Sequence, residues 1–171
     1  TLHKGDLTSS LSILSAINSS TPDEVYNEAD QDHVSWSYAM PEYSCDVTGA
    51  GVARVLETIK MVNNKIKYFQ PLSSNMFGKS LEVYQNENSP FQPQSPYAAA
   101  KVFAFMLCKY FRDVHGLFIS TGIFYNHESP RRSEEYVTKK IAKAAARIKK
   151  GLQHELLLGN LDSKIDFGYA K

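Results

Sequence analysis

The chain has 171 residues, 43% of them hydrophobic and 22% charged, which is enough apolar material for one packed domain. A net charge of +1 gives no bulk attraction to nucleic acid or to an anionic membrane. No window approaches the roughly 18 uninterrupted apolar residues of a spanning helix, and the polar stretch from Thr1 to Ser10 does not read as a signal peptide. Two cysteines, Cys45 and Cys108, have no CxxC pair or His-rich spacing around them. They indicate neither a metal site nor a disulfide framework, so a reduced, cytoplasmic protein is the expectation.

In chain order, Thr8, Ser9 and Ser10 precede Leu11, Leu14 and Ile17, the pattern of a short capped helix. Beyond Pro22, the residues Glu24 to Tyr26 read as a short buried strand. From Asp46 to Val62, the positions Val47, Val52, Val55, Leu56 and Ile59 recur at helical spacing. Ile66 to Gln70 reads as the next strand. Ser95 to Val114 reads as a long helix with Pro96 in its first turn. Leu117 to Ile123 is a β-branched strand, and Ser133 to Lys150 is a helix closed by Gly151. Leu156 to Leu158 completes the pattern as a short strand. Strands alternating with helices predict βαβ units, a parallel sheet and an α/β fold. The last helix carries Lys139, Lys140, Lys143, Arg147, Lys149 and Lys150, read as a solvated face opposite Val137, Ile141, Ala144 and Ile148.

Ser95-Pro96-Tyr97-Ala98-Ala99-Ala100-Lys101 carries the first chemical signal. A Tyr and a Lys four apart share one helix face. An ammonium close to a phenol favours phenolate, which makes the Tyr a usable base for a sugar or alcohol hydroxyl. Alone, such a pair is most often helix surface. Ser73 and Ser74 give the second signal, because they follow a predicted strand. Hydroxyls at the carboxyl end of a parallel strand lie where α/β sheets bind ligands. Their ordinary role would be to cap the next turn. Strand, Ser and SPYxxxK in that order are more informative together than separately.

Five stretches extend the pattern: Leu2 to Thr8 (LHKGDLT), Gln70 to Lys79 (QPLSSNMFGK), SPYAAAK, Asn126 to Arg132 (NHESPRR) and Leu158 to Asp162 (LGNLD). In these the sequence resembles the GDP-mannose 4,6-dehydratase family, extended short-chain dehydrogenases that act on nucleotide sugars. The resemblance runs through essentially the whole chain. It implies a Rossmann-like doubly wound parallel sheet, here incomplete. Residues 1–171 would then be one partial NAD(P)-binding domain with the beginning of a substrate-binding lobe at about 126–171. It also implies NADP as cofactor, with NAD as the alternative, GDP-mannose or a related nucleotide sugar as substrate, and a homodimer or homotetramer. Tyr97 and Lys101 match the catalytic pair, and Ser73 stands where the family has a catalytic Thr. Asp6, Leu7, Gln31, Tyr43, Lys101, His127 and Arg132 match cofactor contacts. Ser74, Asn126, Val137 and Lys140 are the implied substrate contacts. In the family's mechanism the Tyr deprotonates the sugar C4 hydroxyl while hydride passes from C4 to the cofactor. A Glu two residues after the Thr then removes the C5 proton, and the C6 hydroxyl leaves as water.

Several departures bear on that mechanism. Asn75 stands where the family has the Glu, and an amide is no base near neutral pH. Oxidation at C4 would survive, leaving a 4-ketoreductase, an epimerase, an oxidase or a non-catalytic relative as alternatives. His33, Asp32 and Glu128 are candidate replacement bases. Glu28, Asp30 and Asp32 replace apolar or small residues in the stretch Asn27 to Val34, which matches the loop lining the cofactor diphosphate and ribose. Carboxylates there would repel phosphate. The family's glycine-rich strand-turn-helix and the rest of its substrate lobe are not in this sequence, so the chain reads as a fragment of a longer polypeptide, with Glu24 to Tyr26 as a sheet edge.

Overall fold

The computed structural model describes residues 1–79, 84–162 and 164–171. They form two compact units, Thr1–Phe124 and Tyr125–Lys171.

In the first unit, helix α1 spans Ser10–Ser20. Its start is set by Ser9, whose Oγ accepts from the Ser12 N–H at 3.3 Å. Strand β1 follows at Glu24–Tyr26, then α2 at Val34–Ala39 and α3 at Pro41–Cys45. A π-helical turn, Asp46–Ala50, runs into α4 at Gly51–Val62. Strand β2 is Lys67–Ser73, a 3₁₀ turn covers Ser74–Phe77, helix α5 is Pro96–His115 and strand β3 is Ile119–Phe124. The strands form one parallel sheet in the order β1-β2-β3. Parallel neighbours joined through α4 and α5 make this an α/β, Rossmann-like layer. β1 is an edge strand, the position expected for it in an incomplete sheet, but its flanks are exposed rather than buried as its local pattern suggests.

The core lies between the sheet and the helices. Leu56 and Ile59 of α4, Ala104 and Cys108 of α5, and Met76 are fully enclosed, with Ile66, Tyr68 and Leu72 against them. Burial pushes the Cys108 thiol up to about 12, so it behaves as a small apolar group. α5 has the limits its sequence announces. Ser95 Oγ accepts from the Ala98 N–H at 3.1 Å, Pro96 fills the first helical position, and Gly116 stops the helix at φ 66°. The π turn packs closely on α5 because Gly49 has no side chain: a Cβ there would lie 3.0 Å from Phe103 Cδ1.

Several elements differ from the sequence reading in this unit. β2 does not end at Gln70 but continues through Pro71 and Leu72 to Ser73. Its last β1 partner is Phe69, so the missing N–H of Pro71 leaves no gap in that ladder. The 46–62 helix opens with the π turn, and α2 and α3 fold segments with no long apolar period.

The second unit has strand β4 at Asn126–Glu128, helix α6 at Val137–Lys149 and strand β5 at Phe167–Tyr169, with β4 and β5 paired in parallel. The expected strand at Leu156 to Leu158 is irregular backbone, and α6 starts at Val137 rather than Ser133. The basic face of α6 is largely exposed, but the opposite face is only partly covered. Ala144 is buried there, whereas Val137, Ile141 and Ile148 are 41–43% exposed. Among the described residues no helix is long and apolar enough to cross a membrane, and no group of three or more His, Cys, Asp or Glu is arranged to hold a metal ion.

Candidate active site

The catalytic candidates of the first unit gather at the carboxyl end of β2 and the start of α5. Ser73, the last residue of β2, is buried and caps the 3₁₀ turn that follows. Its Oγ accepts from the backbone N–H of Asn75 at 3.2 Å and from the Asn75 side-chain amide at 3.1 Å. Asn75 is therefore a donor beside Ser73. Ser74 begins the turn and is half-buried.

Tyr97 and Lys101 lie one turn apart in α5, and both are buried. Lys101 Nζ is 5.6 Å from the Tyr97 ring centroid. The same ammonium donates to the Pro71 carbonyl at 3.0 Å, two residues before Ser73 in β2. Helix and strand end are thus tied by the lysine itself.

The ammonium has another partner: Asp30 Oδ2 lies 2.5 Å from it. Asp30 arrives on the loop after β1, which is pinned at both sides. Asn27 is buried and donates to Gln70 Oε1 at 3.0 Å, and Tyr68 donates its hydroxyl to the same oxygen. Burial pushes the Tyr68 hydroxyl well above its usual range, so it stays a donor. Gln31 is buried too, donating to Ser44 Oγ at 2.8 Å and accepting from the His33 N–H at 2.9 Å. Its amide is taken up in holding the loop. Thr48 of the π turn completes the cluster by donating to Asp30 Oδ1 at 2.5 Å.

The remaining candidates of this unit stand apart from the cluster's bonds. Asp6 precedes α1, and its carboxylate accepts from the backbone N–H and the hydroxyl of Thr8, both at 2.8 Å. These bonds hold the carboxyl below its usual range, the backbone N–H first. The Leu7 carbonyl accepts from Arg54 at 2.9 Å. Tyr43 is exposed on α3. Of the candidate replacement bases here, Asp32 is exposed, and His33 stacks on Trp36 with its Nδ1 2.8 Å from Ser35 Oγ.

In the second unit, Asn126 donates to the Asp166 carbonyl at 3.2 Å, and His127 Nδ1 lies 3.0 Å from the Tyr125 carbonyl. The Arg132 guanidinium sits 3.4 Å from the Tyr136 ring centroid. Its Nε is buried without a hydrogen-bond partner among the described residues, since Glu128 Oε2 is 3.5 Å away. Glu128 also accepts from Thr138 at 2.6 Å and faces the Arg132 charge, so its carboxylate is already engaged. Lys140 donates to the Leu157 carbonyl at 3.1 Å and lines a cavity of about 320 Å³ with Lys143, Arg147 and Glu134. Val137, at the start of α6, is exposed.

Sequence reasoning missed Thr48 and the Asn27–Gln70–Tyr68 network. Nothing in the local pattern marks Thr48 as different from any helical threonine.

The sequence model of the GDP-mannose 4,6 dehydratase family matches residues 1–171. A GDP-mannose 4,6-dehydratase of Sinorhizobium fredii is 42% identical over 99% of this chain and 49% of its own length. GDP-mannose 4,6 dehydratase 1 of Arabidopsis thaliana is 46% identical over 99% of this chain and 48% of its own. The chain thus spans about half the length of these relatives. Among solved structures, RMD from Pseudomonas aeruginosa complexed with NADPH superposes with a TM-score of 0.87 at 26% identity, over 98% of this chain and 56% of that one. With the family's sequence model matched over residues 1–171 and a Rossmann-like fold beneath it, the chain belongs to the GDP-mannose 4,6-dehydratase family.

Proposed function

We propose that this chain carries the oxidation half of an NADP-dependent nucleotide-sugar modification, with GDP-mannose or a close relative as substrate and NAD as the alternative cofactor. The observation that carries the reading is the bond from Lys101 Nζ to the Pro71 carbonyl, which brings the Tyr97–Lys101 pair up to the strand end bearing Ser73. In this reading Tyr97 takes the proton of the sugar C4 hydroxyl, and the nearby ammonium stabilises the phenolate. The Ser73 hydroxyl donates to the substrate oxygen while Asn75 donates to Ser73, which orients that hydroxyl. The donor set suits a nicotinamide dinucleotide at its ribose. Lys101 donates to ribose oxygens. Bound there, the dinucleotide supplies the acceptor for the hydride leaving C4. The chain's relatives are named as dehydratases, and NADPH occupies the Pseudomonas protein of the same fold, which supports the reading.

The second unit is read as the start of the substrate-binding lobe. Lys140 and Arg147 in the lining of its cavity suit the phosphates of a nucleotide sugar, beside a Lys143 that is paired with Glu134. The Arg132 Nε suits a further acceptor. Assembly into a dimer or tetramer is part of the same proposal.

Asn75 favours a second reading for the later half of the reaction. An amide that donates to Ser73 removes no proton from C5, so oxidation without efficient elimination leaves a 4-ketoreductase, epimerase or oxidase outcome. Asn75→Glu tests this directly. The substitution is expected to raise exchange of the C5 hydrogen in deuterated solvent by about 100-fold or more, the worth of a positioned base. NMR of the nucleotide sugar reads the exchange. No increase would mean that residue 75 does not face C5.

A further inference from the structure

The carboxylate on Lys101 is a departure that the proposed reaction does not explain. The lysine side chain is 4% exposed and that of Asp30 14%, so the pair is nearly out of water. Both carboxylate oxygens are engaged, Oδ2 by Lys101 and Oδ1 by Thr48. The ammonium also reaches the Pro71 carbonyl. A carboxylate 2.5 Å from the ammonium in this setting is a stronger acceptor for it than a neutral hydroxyl.

We propose that Asp30 is a positioning residue that clamps Lys101 and competes with the dinucleotide for its ammonium, so that cofactor binding here is weaker than the bare Tyr97–Lys101 pair would support. The inference rests on the dinucleotide reading above. A ribose hydroxyl that reaches Lys101 must share it with a carboxylate already in contact. Release of the clamp is therefore part of the cost of binding. This differs from simple repulsion between Asp30 and phosphate. Repulsion acts whether or not Lys101 is present, whereas a clamp acts only through Lys101.

The test is calorimetric titration of the full-length protein with NADP⁺ in the wild type, in Asp30→Asn, in Lys101→Met and in the double variant. Asn keeps the shape of Asp but has one acceptor oxygen in place of two and no charge, so it cannot accept from both Thr48 and Lys101. Asp30→Asn is expected to tighten binding about tenfold, within the usual range of coupling between neighbouring sites. On the Lys101→Met background the same change is expected to give no gain, so the two substitutions are non-additive. Asp30→Ala is expected to reproduce the gain and guards against an effect of the amide itself. Two outcomes overturn the clamp and leave the dinucleotide reading standing: wild-type binding with no gain in Asp30→Asn, or an equal gain without Lys101. Absence of NADP⁺ and NAD⁺ binding in every protein would overturn that reading and the clamp with it.

Discussion

Tyr97→Phe is expected to slow C4 oxidation by about 100- to 10,000-fold, the contribution of a positioned base, while the fold is kept. The ring is buried at the second position of α5, with Lys101 Nζ 5.6 Å from its centroid. Phe preserves that ring and its packing, so only the hydroxyl is lost. The stability change is then about that of one hydrogen bond, on the order of 1 kcal/mol. Reduced dinucleotide followed by absorbance in a single turnover measures the chemical step, and thermal unfolding measures the fold. A variant with a rate within about tenfold of the wild type would remove Tyr97 from the role of base, since that lies below the usual range.

Lys101→Met is the substitution with the largest expected effect on stability. It leaves the Asp30 carboxylate with the Thr48 hydroxyl but no counter-charge, in a site with little solvent. Breaking a buried ion pair from one side costs about 3–5 kcal/mol, because a charge remains unpaired. The double change Asp30→Ala with Lys101→Met removes that charge and is expected to recover most of the loss. Denaturant midpoints for the single and double variants check this. If the double variant were as unstable as Lys101→Met, the cost would lie in the lysine's own packing and its bond to Pro71 rather than in the stranded carboxylate.

How legible the molecule was depends on whether the cause is local. α5 was readable because its limits are local chemistry: Ser95 as cap, Pro96 at the first position, Gly116 as stop. The order of strands and helices, and so the parallel sheet, followed from alternation of the same kind. Ser73 was recognised, but as a residue beyond the strand. Pro71 looks like a strand end in sequence, and only the position of β1 shows why it is tolerated. Lys101 and Asp30 were each noticed, one as catalytic and the other as an acidic departure. Their contact was not legible, because it depends on a loop pinned through Asn27 and Gln31 and on a π turn brought close by Gly49. In α6 the periodicity was present, yet Val137, Ile141 and Ile148 remain substantially exposed. A helical period shows which residues share a face but not what covers that face.

Incubation of the full-length protein with GDP-mannose and NADP⁺, followed by NMR of the sugar, tests the central claim that Tyr97, Lys101 and Ser73 support oxidation at C4. The expected result is a 4-keto species accompanied by reduced dinucleotide, with removal of the C6 hydroxyl slow because Asn75 is not a base. An unchanged C4 hydrogen and no reduced dinucleotide, in protein that binds both ligands, would contradict it.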